Sequence, residues 1–279
     1  MYKRRFFFSL ILIFNILIKF WRLGQIPPIF DSSYFHLRVM SAFLGILTPF
    51  VLYLYARKIS LSIKSAVLSI FIFSFLPVAV VESRIASTVQ LSSLFLLLLL
   101  SFFRFLKNRL LLLIPVSFFI ISLIISGSII LNTHFLDNLF VLLSFNFLFF
   151  NNTSFYWGGI REFGLLYFSL IPFFIAGIFS FSFKRLISIL IIPVVIFCLL
   201  AISSAFPENR LVYLAVPFPV LLVTEGIYNS WGSKNLSVRI LAVLICFLFV
   251  YEFSQFLHHY FVHYPIDVRT NIEKIIRPF

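Results

Sequence analysis

The chain has 279 residues, of which 62% are hydrophobic and only 11% are charged. A soluble domain carries about 25% charged residues, so this composition excludes a water-soluble globular fold and makes lipid the solvent for most of the chain. The formal charge of +13 does not indicate a nucleic-acid partner, because the Lys and Arg residues lie in short clusters between apolar runs, as the positive-inside rule predicts.

The apolar runs predict an all-α fold, a polytopic transmembrane helical bundle of about nine spans. A helix needs about 20 mainly apolar residues to cross a bilayer. The predicted spans are, in chain order, Phe6–Phe20, Val39–Tyr55, Ala66–Val81, Thr88–Phe103, Leu110–Leu131, Gly164–Phe181, Ile187–Ser204, Leu211–Tyr228 and Ile240–Leu257.

The basic residues predict the orientation of these spans. With the N-terminus in the cytoplasm, most Lys and Arg clusters fall in cytoplasmic connections, although Lys19, Arg22 and Arg38 depart from this bias in the first outer loop. The chain is therefore predicted to be a multi-pass integral membrane protein with its N-terminus in the cytoplasm. If Thr133 to Phe150 crossed the membrane, every later basic cluster would fall on the outer side. We therefore expect this segment to be an interfacial helix or loop on the outer surface.

Four connections on the predicted outer side carry charged residues beside proline, glycine or aromatic residues. They are "LGQIPPIFDSSYFHLRV" with Asp31, "VESRIAST" with Glu82 and Arg84, "NNTSFYWGGIREFGLLY" with Arg161, and "FPENRLVYLAVPFP" with Arg210. Each has a purely structural alternative: Asp31 as a helix N-cap, a local Glu–Arg pair, or arginines that reach lipid headgroups. Longer outer loops would also hold more polar residues of every kind, acidic residues among them.

A carboxylate and several arginines on one face are also what sugar transfer from a lipid phosphate requires. The departing phosphate needs fixed cations, and forked guanidinium donors suit it best. The attacking hydroxyl needs a carboxylate base within hydrogen-bonding distance. Both groups must lie at the membrane surface, because the tail of the donor is in lipid and its head is not.

These stretches resemble segments of the multi-pass GT-C glycosyltransferases, in particular the bacterial branch related to protein mannosyltransferases and to the aminoarabinose transferase of lipid A. "LGQIPPIFDSS" is similar to the Leu-Gly-x-x-Pro-Pro segment before the catalytic Asp-Glu pair, "SRIAS" to an S-R-I-A element near the donor phosphate, and "NRLVYLAVPFPVLL" to an R-Y-x-x-P-x-x-P segment. The resemblance implies a short, divergent member, with Asp31 as the catalytic base. It places Arg84 and Arg210 on the phosphate, supported by Glu82 and Arg161.

The resemblance also implies a domain organisation and partners. Residues 1–265 would form the transmembrane helical domain, and residues 266–279 a short outer-face tail, with a truncated soluble region as one interpretation. The expected partners are a polyprenyl-phosphate-linked sugar donor and membrane lipid. The sequence shows no required cofactor and leaves a divalent metal undecided.

Departures from the family pattern keep a second hypothesis open. Ser32 follows Asp31 where the family has glutamate, and Ser87 and Thr88 stand where a carboxylate often follows S-R-I-A. The chain could therefore be a non-catalytic or degenerate GT-C-like protein that binds or handles polyprenyl-linked lipids. An ion-coupled carrier fits less well, because it would need ionisable residues near mid-membrane and the centres of the predicted spans are nearly free of them. A purely structural anchor would leave the motifs of the outer connections unexplained.

Two further groups of residues are interpreted structurally. His258, His259 and His263 lie among Tyr and Phe at the end of the last span, and we interpret them as interfacial anchors rather than as metal ligands. Cys198 and Cys246 lie inside apolar runs and are interpreted as small hydrophobic residues, with no disulfide or metal implied.

Overall fold

A computed structural model of the chain describes residues 2–26, 35–85, 89–102, 135–150, 163–202 and 210–266. These ranges are helical and contain no β-strand, which confirms the all-α prediction. The α-helices are α1 (Tyr2–Phe20), α2 (Phe35–Lys58), α3 (Ile63–Phe75), α4 (Pro77–Arg84), α5 (Val89–Phe102), α6 (Phe135–Leu143), α7 (Ile171–Ser180), α8 (Phe183–Ile202), α9 (Pro217–Gly232) and α10 (Leu236–His258).

Shorter helical turns extend several of these helices. Two 3-10 helices, Phe168–Leu170 and Arg210–Ala215, precede α7 and α9. Two π-helices, Asn146–Phe150 and His259–His263, follow α6 and α10.

Three helical segments of the described chain are long and apolar enough to cross a membrane, which indicates a membrane protein. They are Phe35–Lys58, Val212–Gly232 and Leu236–Ile266, and α3 with α4 makes a fourth if that bent pair is one span. The predicted number of nine is not supported by length. The 10 residues of α7, for example, rise only about 15 Å, whereas the hydrocarbon core is about 30 Å thick. The predicted span Leu110–Leu131 lies outside the described residues.

Proline explains why several predicted spans are divided. Pro77 begins α4, and Leu76 before it is extended, with a ψ of 143°, as the residue before a proline prefers. The axis bends by 60° between α3 and α4. Pro217 likewise begins α9, whereas Pro49 and Pro193 lie inside α2 and α8.

The most extensive helix contact of the described chain joins α7 to α9, and it depends on two glycines. A Cβ on Gly177 would lie 2.0 Å from the carbonyl oxygen of Leu222, and a Cβ on Gly226 would lie 1.9 Å from that of Phe173. Small residues permit such close approach in membrane proteins, where van der Waals packing holds helices together.

The segment predicted to be interfacial, Thr133 to Phe150, contains α6, and a helix of nine residues is too short to cross a bilayer. Asn138 of α6 donates to the carbonyl oxygen of Ala201 near the end of α8, at 3.1 Å. Leu136 and Phe140 are 63% and 72% exposed. Such an apolar exposed face suits a helix that lies at a membrane surface.

Candidate functional site

Polar side chains that are distant in the sequence are buried together where several helices end. We call them the buried polar cluster: Lys19 of α1, Arg38 of α2, Glu82 and Arg84 of α4, Gln90 of α5, and Tyr213 of the 3-10 helix before α9. Hydrogen bonds and electrostatic contacts connect these elements around the last turn of α1. In an apolar membrane bundle, buried ionisable residues are costly and commonly mark functional sites.

The cluster begins with the carbonyl groups at the end of α1. A helix leaves its last four carbonyls without partners inside the helix. Backbone amides of the following turn donate to two of them, the carbonyls of Leu17 and Phe20. The carbonyls of Ile18 and Lys19 need donors from another element, because the α1 end is buried.

Arg84 supplies those donors. Its Nη1 donates to the carbonyl oxygens of Ile18 at 2.7 Å and Lys19 at 2.9 Å. Its Nη2 donates to those of Trp21 at 2.7 Å and Ile26 at 3.0 Å. A planar guanidinium with several donors can serve carbonyls in this way, and its positive charge is favourable at a helix C-terminus. Arg84 therefore caps α1 and ties the turn after it to α4.

This arrangement bears on the predicted role of Arg84. Four of the five N–H donors of a guanidinium are directed to backbone carbonyls, and Nε is the remaining one. The rings of Tyr260 and Phe261 cover the guanidinium, with centroids 5.6 and 4.9 Å from Cζ, in the range of cation–π contacts. The geometry favours Arg84 as a residue that positions the first turn, and its phosphate contact stays a prediction.

Lys19 is fully buried, and its Nζ donates to the carbonyl oxygen of Gly45 in α2. A Cβ on Gly45 would lie 2.4 Å from the Cβ of Ser83 and 3.2 Å from Nζ of Lys19. Glycine at this position therefore permits α2 to approach α4 while the ammonium group lies beside both helices.

Glu82 brings a carboxylate into the same region, with none of its surface exposed. Its backbone carbonyl accepts a hydrogen bond from the Ser41 hydroxyl at 3.3 Å. Its carboxylate lies within electrostatic range of Tyr213 and Tyr260. The Tyr213 hydroxyl in turn donates to Oε1 of Gln90 at 3.2 Å, which joins α5 to the 3-10 helix before α9.

Arg38 lies at the edge of the cluster. Its Nη1 donates to the carbonyl oxygen of Leu23 at 3.2 Å, and the side chain interacts electrostatically with Arg84, Tyr260 and Tyr264. It retains 7% exposure, whereas Lys19, Glu82 and Arg84 retain none. Of these four ionisable side chains, Arg38 is the one that a group outside the bundle could reach.

The ionisable members are unequal in sign. Three are basic, Lys19, Arg38 and Arg84, and one is acidic, Glu82. Charges interact strongly in a medium of low dielectric constant, so this excess of basic side chains is more compatible with an anion than with a cation.

The structure brings together only part of the predicted site. Glu82 and Arg84 lie on one helix, α4, and Arg84 contacts the turn after α1. Arg210 begins the 3-10 helix that carries Tyr213 into the cluster. Asp31 and Arg161 lie outside the described residues, and their predicted roles stay predictions.

Sequence reasoning missed Lys19, Arg38, Gln90 and Tyr213 as members of this site. A signal existed for two of them, because Lys19 and Arg38 break the positive-inside pattern in the first outer loop. Gln90 is a polar residue in an apolar run, which is a weak signal on its own. Nothing in the sequence pairs Tyr213 with a residue 123 positions away.

No protein-family model matches the chain, and neither a curated protein nor a solved structure matches it.

Proposed function

We propose that this chain is a membrane glycosyltransferase that moves a sugar from a polyprenyl-phosphate donor to an acceptor on the non-cytoplasmic face. The observation that carries the proposal is the buried polar cluster, in which three basic side chains and one acidic side chain, drawn from three helices, meet at one end of an apolar bundle. In the proposed topology the chain crosses a bacterial cytoplasmic membrane several times, with its N-terminus in the cytoplasm.

Chain direction supports a single side for this site. The cluster collects the C-terminal end of α1, the N-terminal end of α2, the C-terminal end of α4 and the N-terminal end of α5. These ends alternate as the ends of successive antiparallel spans would on one face. Under the proposed orientation that face is non-cytoplasmic.

In the proposed reaction the Asp31 carboxylate takes the proton of the acceptor hydroxyl, whose oxygen attacks C1 of the sugar. The new C1–O bond forms as the bond from C1 to the phosphate oxygen breaks, and polyprenyl phosphate leaves with the electron pair. Arg38 and Arg210 bind the phosphate, Arg84 positions the first outer turn, and Glu82 and Arg161 support the site. Ile26, the last described residue before the Asp31 segment, accepts a hydrogen bond from Arg84. Arg38, in the first turn of α2 after that segment, interacts electrostatically with Arg84.

A second function is favoured by a specific observation. Arg84, which the resemblance places on the phosphate, directs four donors to backbone carbonyls. A protein that binds polyprenyl-linked lipids without turning them over would need the cationic cluster but not the base. It would be a non-catalytic or degenerate member.

One experiment separates the two functions. The purified full chain, reconstituted in proteoliposomes with a polyprenyl-phosphate sugar, should transfer the sugar or hydrolyse the donor. Asp31→Asn should abolish turnover while donor binding and thermal stability are unchanged, because an amide cannot accept the proton. Asp137→Asn is the matched control, since Asp137 is exposed on α6. Turnover that survives Asp31→Asn would contradict the assignment of the base, and binding without turnover in the wild type would favour the second function.

A further inference from the structure

Three histidines lie at the C-terminal end of α10 and in the π-helix that continues it, beside the buried polar cluster. α10 ends at His258, and the π-helix His259–His263 continues it. An α-helix closes its hydrogen bonds over four residues and a π-helix over five. The π-helix therefore places residues five apart, such as His258 and His263, on one face.

The two imidazoles of that face meet edge to face. Nε2 of His263 lies 3.2 Å from Nε2 of His258, and the ring centroids are 4.9 Å apart. A Zn–N bond is about 2.0–2.1 Å long, so two nitrogens on one tetrahedral ion lie roughly 3.3 Å apart. The observed separation fits two ligands of a single metal ion.

The two rings lie where an ion from water could reach them. Both histidines are exposed. Counted from the polar N-cap Asn235, they lie roughly 34 and 42 Å along the helix, beyond the hydrocarbon core of about 30 Å. A site inside the hydrocarbon core would lack this access.

We propose that His258 and His263, which the sequence alone favours as interfacial anchors, form a two-histidine binding site for a divalent first-row transition metal, independent of the proposed glycosyl transfer. Imidazole nitrogen suits Zn²⁺, Ni²⁺ and Cu²⁺, of which Cu²⁺ binds most tightly. The described residues hold no group of three or more metal-binding side chains, so water completes the coordination. Binding replaces the contact between the two nitrogens by two metal–nitrogen bonds and fixes the π-helix.

The neighbouring His259 provides a matched control. Its ring centroid is 5.7 Å from that of His263, and it belongs to the same π-helix. Replacing it removes an imidazole from the same segment but leaves the close pair intact. If metal binding depended only on the number of imidazoles, all three substitutions would weaken it alike. If it depends on the close pair, only the substitutions of His258 and His263 should weaken it.

The test uses the full chain, purified without a histidine tag in detergent, and calorimetric titration with Cu²⁺ and with Zn²⁺. The wild type should bind one ion per chain, with Cu²⁺ the tighter. His258→Ala and His263→Ala should each weaken binding about tenfold or more, and His259→Ala should change it less than about twofold. Absence of stoichiometric binding by the wild type, or equal weakening in all three variants, would overturn the proposal and leave a hydrogen bond between two imidazoles.

Discussion

Two helices of this bundle show a pattern of burial opposite to that of a soluble protein, in which apolar side chains are buried and charged ones are exposed. α4 has eight residues, all of them buried, and they include Glu82, Ser83 and Arg84. α10 has 23 residues, mostly apolar, of which three are buried: Ala242, Phe249 and Phe256. In lipid, an apolar side chain gains little by leaving the surface, whereas a polar group without a partner is costly. Specific polar contacts therefore stabilise α4 in its position, whereas α10 is stabilised largely by its contact with lipid.

The difference predicts where substitutions destabilise the fold most. Arg84→Ala in α4 would remove the donors of four backbone carbonyls and leave them buried. Because each hydrogen bond to a charged group contributes about 1.5–3 kcal/mol, we expect a large fall in Tm in detergent. The Tm of Arg84→Lys should lie between those of the wild type and Arg84→Ala, since an ammonium group keeps the charge but lacks the planar arrangement of donors.

The control for Arg84 is Arg185→Ala, because Arg185 is exposed on α8. Its effect should stay within about 0.5 kcal/mol. If the Arg84→Ala protein melted at the wild-type temperature, the first turn would not depend on this guanidinium.

An intermediate effect is expected where packing alone holds two helices. Gly226→Ala places a methyl group 1.9 Å from the Phe173 carbonyl oxygen, so α7 and α9 must separate. Overpacking costs about 1–3 kcal/mol. Gly232→Ala at the end of the same helix meets nothing within 4 Å, and its Tm should equal that of the wild type. Equal melting of both variants would disprove the close contact.

The smallest effect is expected on the lipid-facing side of α10. Phe247 is 70% exposed, whereas Phe256 on the same helix is fully buried. Phe247→Ala should change the free energy of unfolding by less than about 0.5 kcal/mol. Phe256→Ala should cost about 3–5 kcal/mol through the cavity it leaves. A large loss from Phe247→Ala, measured by thermal melting in detergent, would show that a protein surface covers this face.

Much of the fold could be predicted from the pattern of apolar runs. Eight of the nine predicted spans contain described helices, and the segment around α6 is a short helix, as expected for an interfacial element. Lengths were less predictable. Pro77 and Pro217 begin helices, and hydrophobicity alone does not reveal whether a proline lies within a helix or starts one.

The site could be predicted only as a region. The sequence indicates that Glu82 and Arg84 lie at an outer connection, but a guanidinium can donate to a phosphate or to carbonyls. In this structure Arg84 donates to carbonyls about 60 residues earlier, two at the end of α1 and two in the turn after it. Lys19 and Arg38 were visible only as exceptions to a charge rule, because their neighbours are set by helix packing.

α2 offers the most direct test that the cluster binds a polyprenyl phosphate. Arg38 lies in its first turn and exposed Arg57 in its last, roughly 28 Å apart along the axis, so the two arginines sample opposite ends of one span. Affinity for polyprenyl phosphate should be measured in detergent for Arg38→Gln and Arg57→Gln. We predict that Arg38→Gln weakens binding about tenfold or more, since a charge-assisted hydrogen bond contributes about 1.5–3 kcal/mol, and that Arg57→Gln leaves it unchanged. Equal affinities, or a loss confined to Arg57→Gln, would contradict a phosphate site at this end of the bundle.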